Sequence, residues 1–236
     1  MNETISWIHF GDLHISNEGE QNQTDFLHLI AEANRYLRSD IVFCLLPGDN
    51  ADDAEADQYD VVEKAISLCE FAVEAIPGDH DKAGGSLDLF RNCFPAPLPR
   101  SLSRGIAHFV FLNSVSHWQP PQFGLGAEQM EWLRDDLAAA HRSGQSIIVF
   151  MHAYPSEHEA AGELATLFRE RGVSLVERGH THYNELANDG RTLYAATRST
   201  GQIEEGPVGF SVTTLDALGF VSRRCATGDS GTFSHS

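Results

Sequence analysis

Nine carboxylates and imidazoles fall into five short segments of this chain: Asp12-Leu13-His14, Gly48-Asp49, Gly78-Asp79-His80-Asp81, His152, and Gly179-His180-Thr181-His182. Mixed oxygen and imidazole donors of this kind suit first-row divalent metals. Asp12 and His14, one residue apart, can turn toward one ion where the chain leaves regular pleating. His180 and His182, spaced the same way behind a glycine, can serve two adjacent ions. Taken singly, D-x-H or Gly-Asp is as readily a surface loop or a cap. Taken together, the segments point to a binuclear centre.

The positioning elements are legible as apolar runs that end just before these segments. Ile5 to Phe10, Ile41 to Leu46, Phe71 to Ile76 and Ile147 to Met151 read as short strands covered on both faces. Open α/β sheets carry their ligand sites at the carboxyl ends of such strands. Phe26, Leu29, Ile30, Ala33 and Leu37 repeat at helical spacing, with Asp25 as the expected cap. An acidic helix is expected from Glu55 to Cys69. Met130, Leu133 and Leu137 mark another helix ending before Gly144, and Leu164, Leu167 and Phe168 a further one ending at Gly172. Farther on, Arg191 to Ala196, Val208 to Leu215 and Phe220 to Arg224 alternate apolar and polar residues around a turn at Asp216 to Gly219. These are expected to form a second, largely antiparallel sheet. The fold class is therefore α/β, in one domain spanning residues 1–225, with a flexible tail over 226–236.

Composition narrows the function. With 236 residues and 42% hydrophobic content, the chain can bury one sizeable core. Sixteen Lys and Arg against 34 Asp and Glu give a formal charge of −18, which disfavours long nucleic acids and anionic membranes as partners. The sequence opens straight into a strand and lacks a membrane-length apolar run, so the expected location is the cytoplasm. Cys44, Cys69, Cys93 and Cys225 form no C-x-x-C pair and read as ordinary core or surface thiols. No G-x-S-x-G or G-x-G-x-x-G motif is present.

In this order, the segments resemble the calcineurin-like metallophosphoesterase pattern D-x-H, G-D, G-N-H-[D/E], H, G-H-x-H. They are most similar to the small bacterial class III cyclic nucleotide phosphodiesterase group. The resemblance runs from Ile5 to about Arg224 and implies a four-layer sandwich of two mixed β-sheets flanked by helices. It implies one ion on Asp12, His14, Asp49 and His182, and another on Asp49, Asp79, His152 and His180, with Asp49 bridging. The ions implied are Mn, Fe or Zn. A hydroxide shared between them would attack a small phosphodiester in line, and His80 would protonate the leaving group, with Asp81 fixing its tautomer. His80 acting only to orient water or phosphate remains the alternative.

Asp79 departs from the family's Asn. A third ligand carboxylate should hold metal more tightly and attract anions less, penalising a monoester more than a diester. The alternatives are a site losing activity, or an Asp79 that is protonated or points away. The alternatives to a phosphodiesterase are a phosphomonoesterase and a non-catalytic protein-binding scaffold on the same fold. The oligomeric state has no sequence signal.

Overall fold

The computed structural model describes residues 4–36, 41–117, 119–120, 123–200, 208–219, 221–229 and 232–233. Its first sheet is built on three parallel strands, β1 (Thr4–Phe10), β2 (Ile41–Leu46) and β3 (Val73–Ala75). Two helices make the crossovers, α1 (Gln21–Tyr36) and α2 (Ala56–Ile66). The helix α3 (Asp88–Cys93) follows, and then the edge strand β4 (Arg100–Arg104). Four parallel strands form the centre of the second sheet: β5 (Ala107–Phe111), β6 (Ser146–Phe150), β7 (Val173–Arg178) and β9 (Leu193–Ala196). Helices α4 (Gly126–Ser143) and α5 (Ala161–Arg171) cross between them, and β8 (Glu185–Asn188) closes the far edge antiparallel to β9. The chain then returns to the first sheet through β10 (Gly209–Asp216), β11 (Val221–Asp229) and β12 (Thr232–Phe233).

The strand orders are β12-β11-β10-β1-β2-β3 and β4-β5-β6-β7-β9-β8. Three apolar clusters turn these orders into layers. One packs α1, α2 and α3 residues such as Phe26, Val62 and Phe90 on the outer face of the first sheet. A second packs Leu133, Leu137 and Phe168 of α4 and α5 on the outer face of the other. Between the sheets lie Trp7, Phe43, Phe109, Phe111 and Phe150. Trp7 meets Phe109 edge-on at 5.2 Å, and Phe43 meets Phe150 at 5.8 Å. The result is the α/β four-layer sandwich, helices outside two mixed sheets.

Gly144 and Gly172 close α4 and α5 in the left-handed conformation, where the sequence places them. Three expectations need correction. Asp25 does not cap α1: the helix opens a turn earlier, with the Thr24 N–H bonded to the Glu20 carbonyl, and Asp25 accepts from Gln21 inside it. The alternating strands after residue 190 do not form a sheet of their own. β10 pairs with β1 from Thr4↔Asp216 to Phe10↔Phe210, while β9 lies parallel to β7. The ladder also continues past residue 225, because Phe210 and Gly209 find partners in Ala226 and Thr227. Leu37, Phe220 and the remainder of the expected tail, 230–231 and 234–236, lie outside the described residues. No helix among the described residues is long and apolar enough to cross a membrane.

A carboxylate is buried between the sheets. Glu177 accepts from Trp7 Nε1 at 2.7 Å and Thr213 Oγ1 at 2.6 Å, and lies 3.4 Å from His9 and 3.6 Å from Arg223. Burial opposes its ionisation, but His9, Arg223 and Thr213 prevail and hold it at about 2. A depressed carboxylate contributes stability above its unfolded pKa and loses it as pH falls through the folded one. Glu177→Gln is therefore expected to cost about 3 kcal/mol at neutral pH, by removing the carboxylate that faces the largely buried Arg223 guanidinium. It should also remove part of the stability loss between pH of about 4.5 and about 2. Urea titrations of both proteins across that range check it.

Candidate metal centre

Asp12 and His14 follow β1, Asp49 follows β2, Asp79 follows β3, His152 follows β6, and His180 and His182 follow β7. All these strands run parallel within their sheets, so their carboxyl ends share one rim. Backbone bonds stitch the exits together. The Leu13 and His14 N–H groups donate to the Asp49 carbonyl at 3.0 and 2.9 Å, and Gly179 N–H donates to the His152 carbonyl at 3.1 Å. Gly78 and Gly179 are required by close approach: a Cβ on either would collide with the carboxylate of Asp49 or Asp12.

Two four-donor groups result, each with its ligand atoms within 4.8 Å of one another. They are Asp12, His14, Asp49 and His182, and Asp49, Asp79, His152 and His180. Asp49 belongs to both. In the first group the Nε2 atoms of His14 and His182 are 3.1 Å apart, with Asp49 Oδ2 3.6 Å from the former and Asp12 Oδ2 3.4 Å from the latter. In the second, Asp79 Oδ1 is 3.2 Å from His152 Nε2 and 3.5 Å from His180 Nδ1. Asp79 thus points into the centre.

Several features fit these groups to cations. Asp12 Oδ1 is buried without a hydrogen-bond partner. Burial pushes the Asp12 carboxyl up to about 7 against the pull of His152, as expected of an acid set where a countercharge belongs. Burial and the neighbouring His14 bring His182 down to about 4, keeping it neutral and able to ligate. The backbone is strained at the same place. Five non-glycine residues among those described have left-handed φ, and four are candidate ligands: His14 (45°), Asp49 (52°), His180 (68°) and His182 (60°). Strain of this kind persists where surrounding structure enforces a functional geometry.

Neighbouring acceptors select the tautomers. His152 donates from Nδ1 to the Pro47 carbonyl at 2.9 Å, and His14 from Nδ1 to Asp52 Oδ1 at 3.0 Å, leaving Nε2 of each for a metal. His80 is not in either group of the centre. Its backbone N–H donates to Asp49 Oδ1 at 3.0 Å, and its Nδ1 to the Asp52 carbonyl at 2.6 Å, so Nε2 is left free. Burial works against a charged ring here, but Asp49, the Asp52 carbonyl and Asp79 outweigh it and raise His80 above the ordinary imidazole range.

Asp81 does not touch the His80 ring. Its carboxylate accepts from the N–H groups of Gly78, Asn50 and Ala51 and from Tyr59 Oη at 2.6 Å, clasping the exits of β2 and β3. The partner of His80 is Asp52, which sequence reasoning passed over. Its signal was a carboxylate three residues beyond Asp49 in the same exit loop. Phe123 was also missed: its ring lies edge-on to His180 at 4.9 Å and to His152 at 5.8 Å, walling the second group. The loop from Ala153 to His158 is tied to it, with Phe123 N–H donating to the Glu157 carbonyl at 3.0 Å.

A 3′,5′-cyclic-nucleotide phosphodiesterase of Nostoc sp. is 27% identical over 217 residues, covering 85% of this chain and 80% of its own. A dimetal phosphatase from Danio rerio superposes with a TM-score of 0.72 at 12% identity, over 90% of this chain and 95% of that one. GAP50, the anchor in the inner membrane complex of Plasmodium, superposes at 0.66 with 15% identity, over 98% and 88%. The profile of the calcineurin-like phosphoesterases matches residues 6–184, a span holding every candidate ligand, and the chain belongs to that family.

Proposed function

We propose that this protein is a metal-dependent phosphodiesterase acting on a small substrate, with Mn, Fe or Zn ions in the two groups that share Asp49. The observation that carries this reading is the shared carboxylate itself, with His80 anchored beside it by Asp52. Two bound ions would supply an activated water and neutralise charge on the phosphoryl oxygens. Asp12, Asp49 and Asp79 fix the charge of the site, and His80 presents Nε2 to protonate the departing oxygen. A cyclic nucleotide is the leading substrate class because the Nostoc relative carries that name. The formal charge of −18 weighs against long nucleic acids. A scaffold is the weaker reading, since a binding module has no use for this complete donor set with a free imidazole nitrogen beside it.

The test is a panel of cyclic nucleotides, linear dinucleotides, phospholipid head-group diesters and monoesters at saturating metal. Higher kcat/KM for diesters supports the reading. Faster monoester turnover would favour the monoesterase, and no turnover with both groups loaded would favour the scaffold.

Asp79 bears on the same choice. Asp79→Asn removes a negative charge from the second group, so inorganic phosphate is expected to inhibit the variant about tenfold more strongly, roughly 1.4 kcal/mol. The gain in kcat/KM should be larger for monoesters than for diesters. A neutral amide oxygen is the poorer ligand, so inhibition constants are measured at saturating metal. Unchanged phosphate affinity would remove Asp79 from the charged ligands.

A further inference from the structure

Away from the rim, the two sulfurs of Cys44 and Cys69 are 3.6 Å apart. Cys44 is fully buried in the middle of β2, while Cys69 sits in the turn after α2 and is partly exposed. The turn is held in place. Asn34 of α1 donates to the Leu68 carbonyl at 2.8 Å and accepts from the Glu70 N–H at 3.0 Å, bracketing Cys69 on both sides. Cys69 N–H is itself bonded to the Ile66 carbonyl at 3.0 Å, and Cys44 N–H to the Ala72 carbonyl at 2.7 Å. The pair therefore faces across two anchored stretches of backbone.

We propose that Cys44 and Cys69 are a reversible dithiol, closed to an intramolecular disulfide by a peroxide. The Cys69 thiolate attacks one peroxide oxygen, the O–O bond breaks and, with one proton taken up, water leaves, giving a sulfenic acid on Cys69. The Cys44 sulfur then attacks the Cys69 sulfur, the S–O bond breaks, and the Cys44 thiol proton leaves with the hydroxide as a second water. Two thiols and one hydrogen peroxide become one disulfide and two waters. Side-chain rotation must close the sulfur separation to a bond of about 2.0 Å.

The two sulfurs are unequal in the way this order needs. The Cys44 thiol donating to it, together with the Phe71 N–H, brings Cys69 down to about 7 against the effect of burial, whereas burial pushes Cys44 well up. Burial pushes Cys93 up to about 12, leaving it a poor attacker. The bridge would tie β2 to the segment entering β3, since Cys44 is in register with Val73. Those two strands present Asp49 and Asp79.

The reduced full chain is treated with a few equivalents of hydrogen peroxide, quenched with an alkylating agent in denaturant, and mapped by mass spectrometry. The expected product is lighter by two hydrogens, carries a linked peptide pair containing Cys44 and Cys69, leaves Cys93 alkylated, and reverts with dithiothreitol. Cys69→Ser should abolish the product while binding metal as the wild type does. Cys44→Ala should accumulate oxygen on Cys69 instead, more slowly than the wild type forms its bridge, because the thiol that activates Cys69 is gone. The proposal is overturned if wild-type Cys44 and Cys69 both remain alkylatable, or if Cys69 acquires oxygen with no link to Cys44. Cys69→Ser alone is sufficient should Cys44→Ala fail to fold.

Discussion

Asp49→Ala is expected to leave neither ion bound and to lower diester hydrolysis by at least about a thousandfold, the scale of losing several kcal/mol of metal-assisted stabilisation. No other side chain belongs to both four-donor groups. Each group would keep three donors, one carboxylate and two imidazoles, with no side chain shared between them. Asp49 also accepts the His80 N–H and lies 3.3 Å from His152, so its removal releases the backbone that aims the acid as well. Elemental analysis of the purified variant against wild type measures the metal loss directly. Retention of two equivalents would remove Asp49 from its bridging role.

His80→Ala is expected to behave differently, keeping both ions while slowing cyclic nucleotide hydrolysis by about a hundredfold, the lower end of general acid contributions. Nitrophenolate departs without a proton, so a bis-nitrophenyl diester should lose less than about tenfold. The pH profile carries the sign. An acid must enter the reaction protonated. Wild-type turnover of an alkoxide-leaving substrate should therefore fall on the alkaline side. That limb should be missing from His80→Ala and from the nitrophenyl substrate. Equal losses on both substrates would make His80 a binding or orienting group.

The rim was legible because its residues obey local rules. An apolar run bounded by turn residues marks a strand, and the four runs read that way end just before Asp12, Asp49, Asp79 and His152, at a rim to which both sheets contribute. Donor types then speak for themselves. What escaped was set by contacts between distant segments. Asp81 adjoins His80 in sequence, yet its carboxylate is drawn to the N–H groups of Gly78, Asn50 and Ala51, and Asp52 supplies the acceptor instead. Phe123 lies in a segment with no periodicity, and its bonds to Glu157 and Glu159 tie it beside the ligands.

The fold shows the same division. Helix ends at Gly144 and Gly172 follow from the left-handed conformation glycine tolerates, a property of one residue. The sheet to which β10 belongs is not such a property. Its alternating pattern fits an antiparallel partner, and β1, two hundred residues earlier, is that partner. The two faces of β7 differ likewise: Val176 packs on the helices, whereas Glu177 turns inward to Trp7, Arg223 and His9. A carboxylate in the middle of a buried strand reads as a surface residue until its partners are known.

The central claim is that one carboxylate joins two metal sites. Anomalous scattering from crystals of the metal-loaded wild type tests it most directly. The account predicts two peaks about 3.5 to 4 Å apart, both within ligand distance of Asp49. One should be completed by Asp12, His14 and His182, and the other by Asp79, His152 and His180. A single peak, or a pair that does not share Asp49, would contradict it.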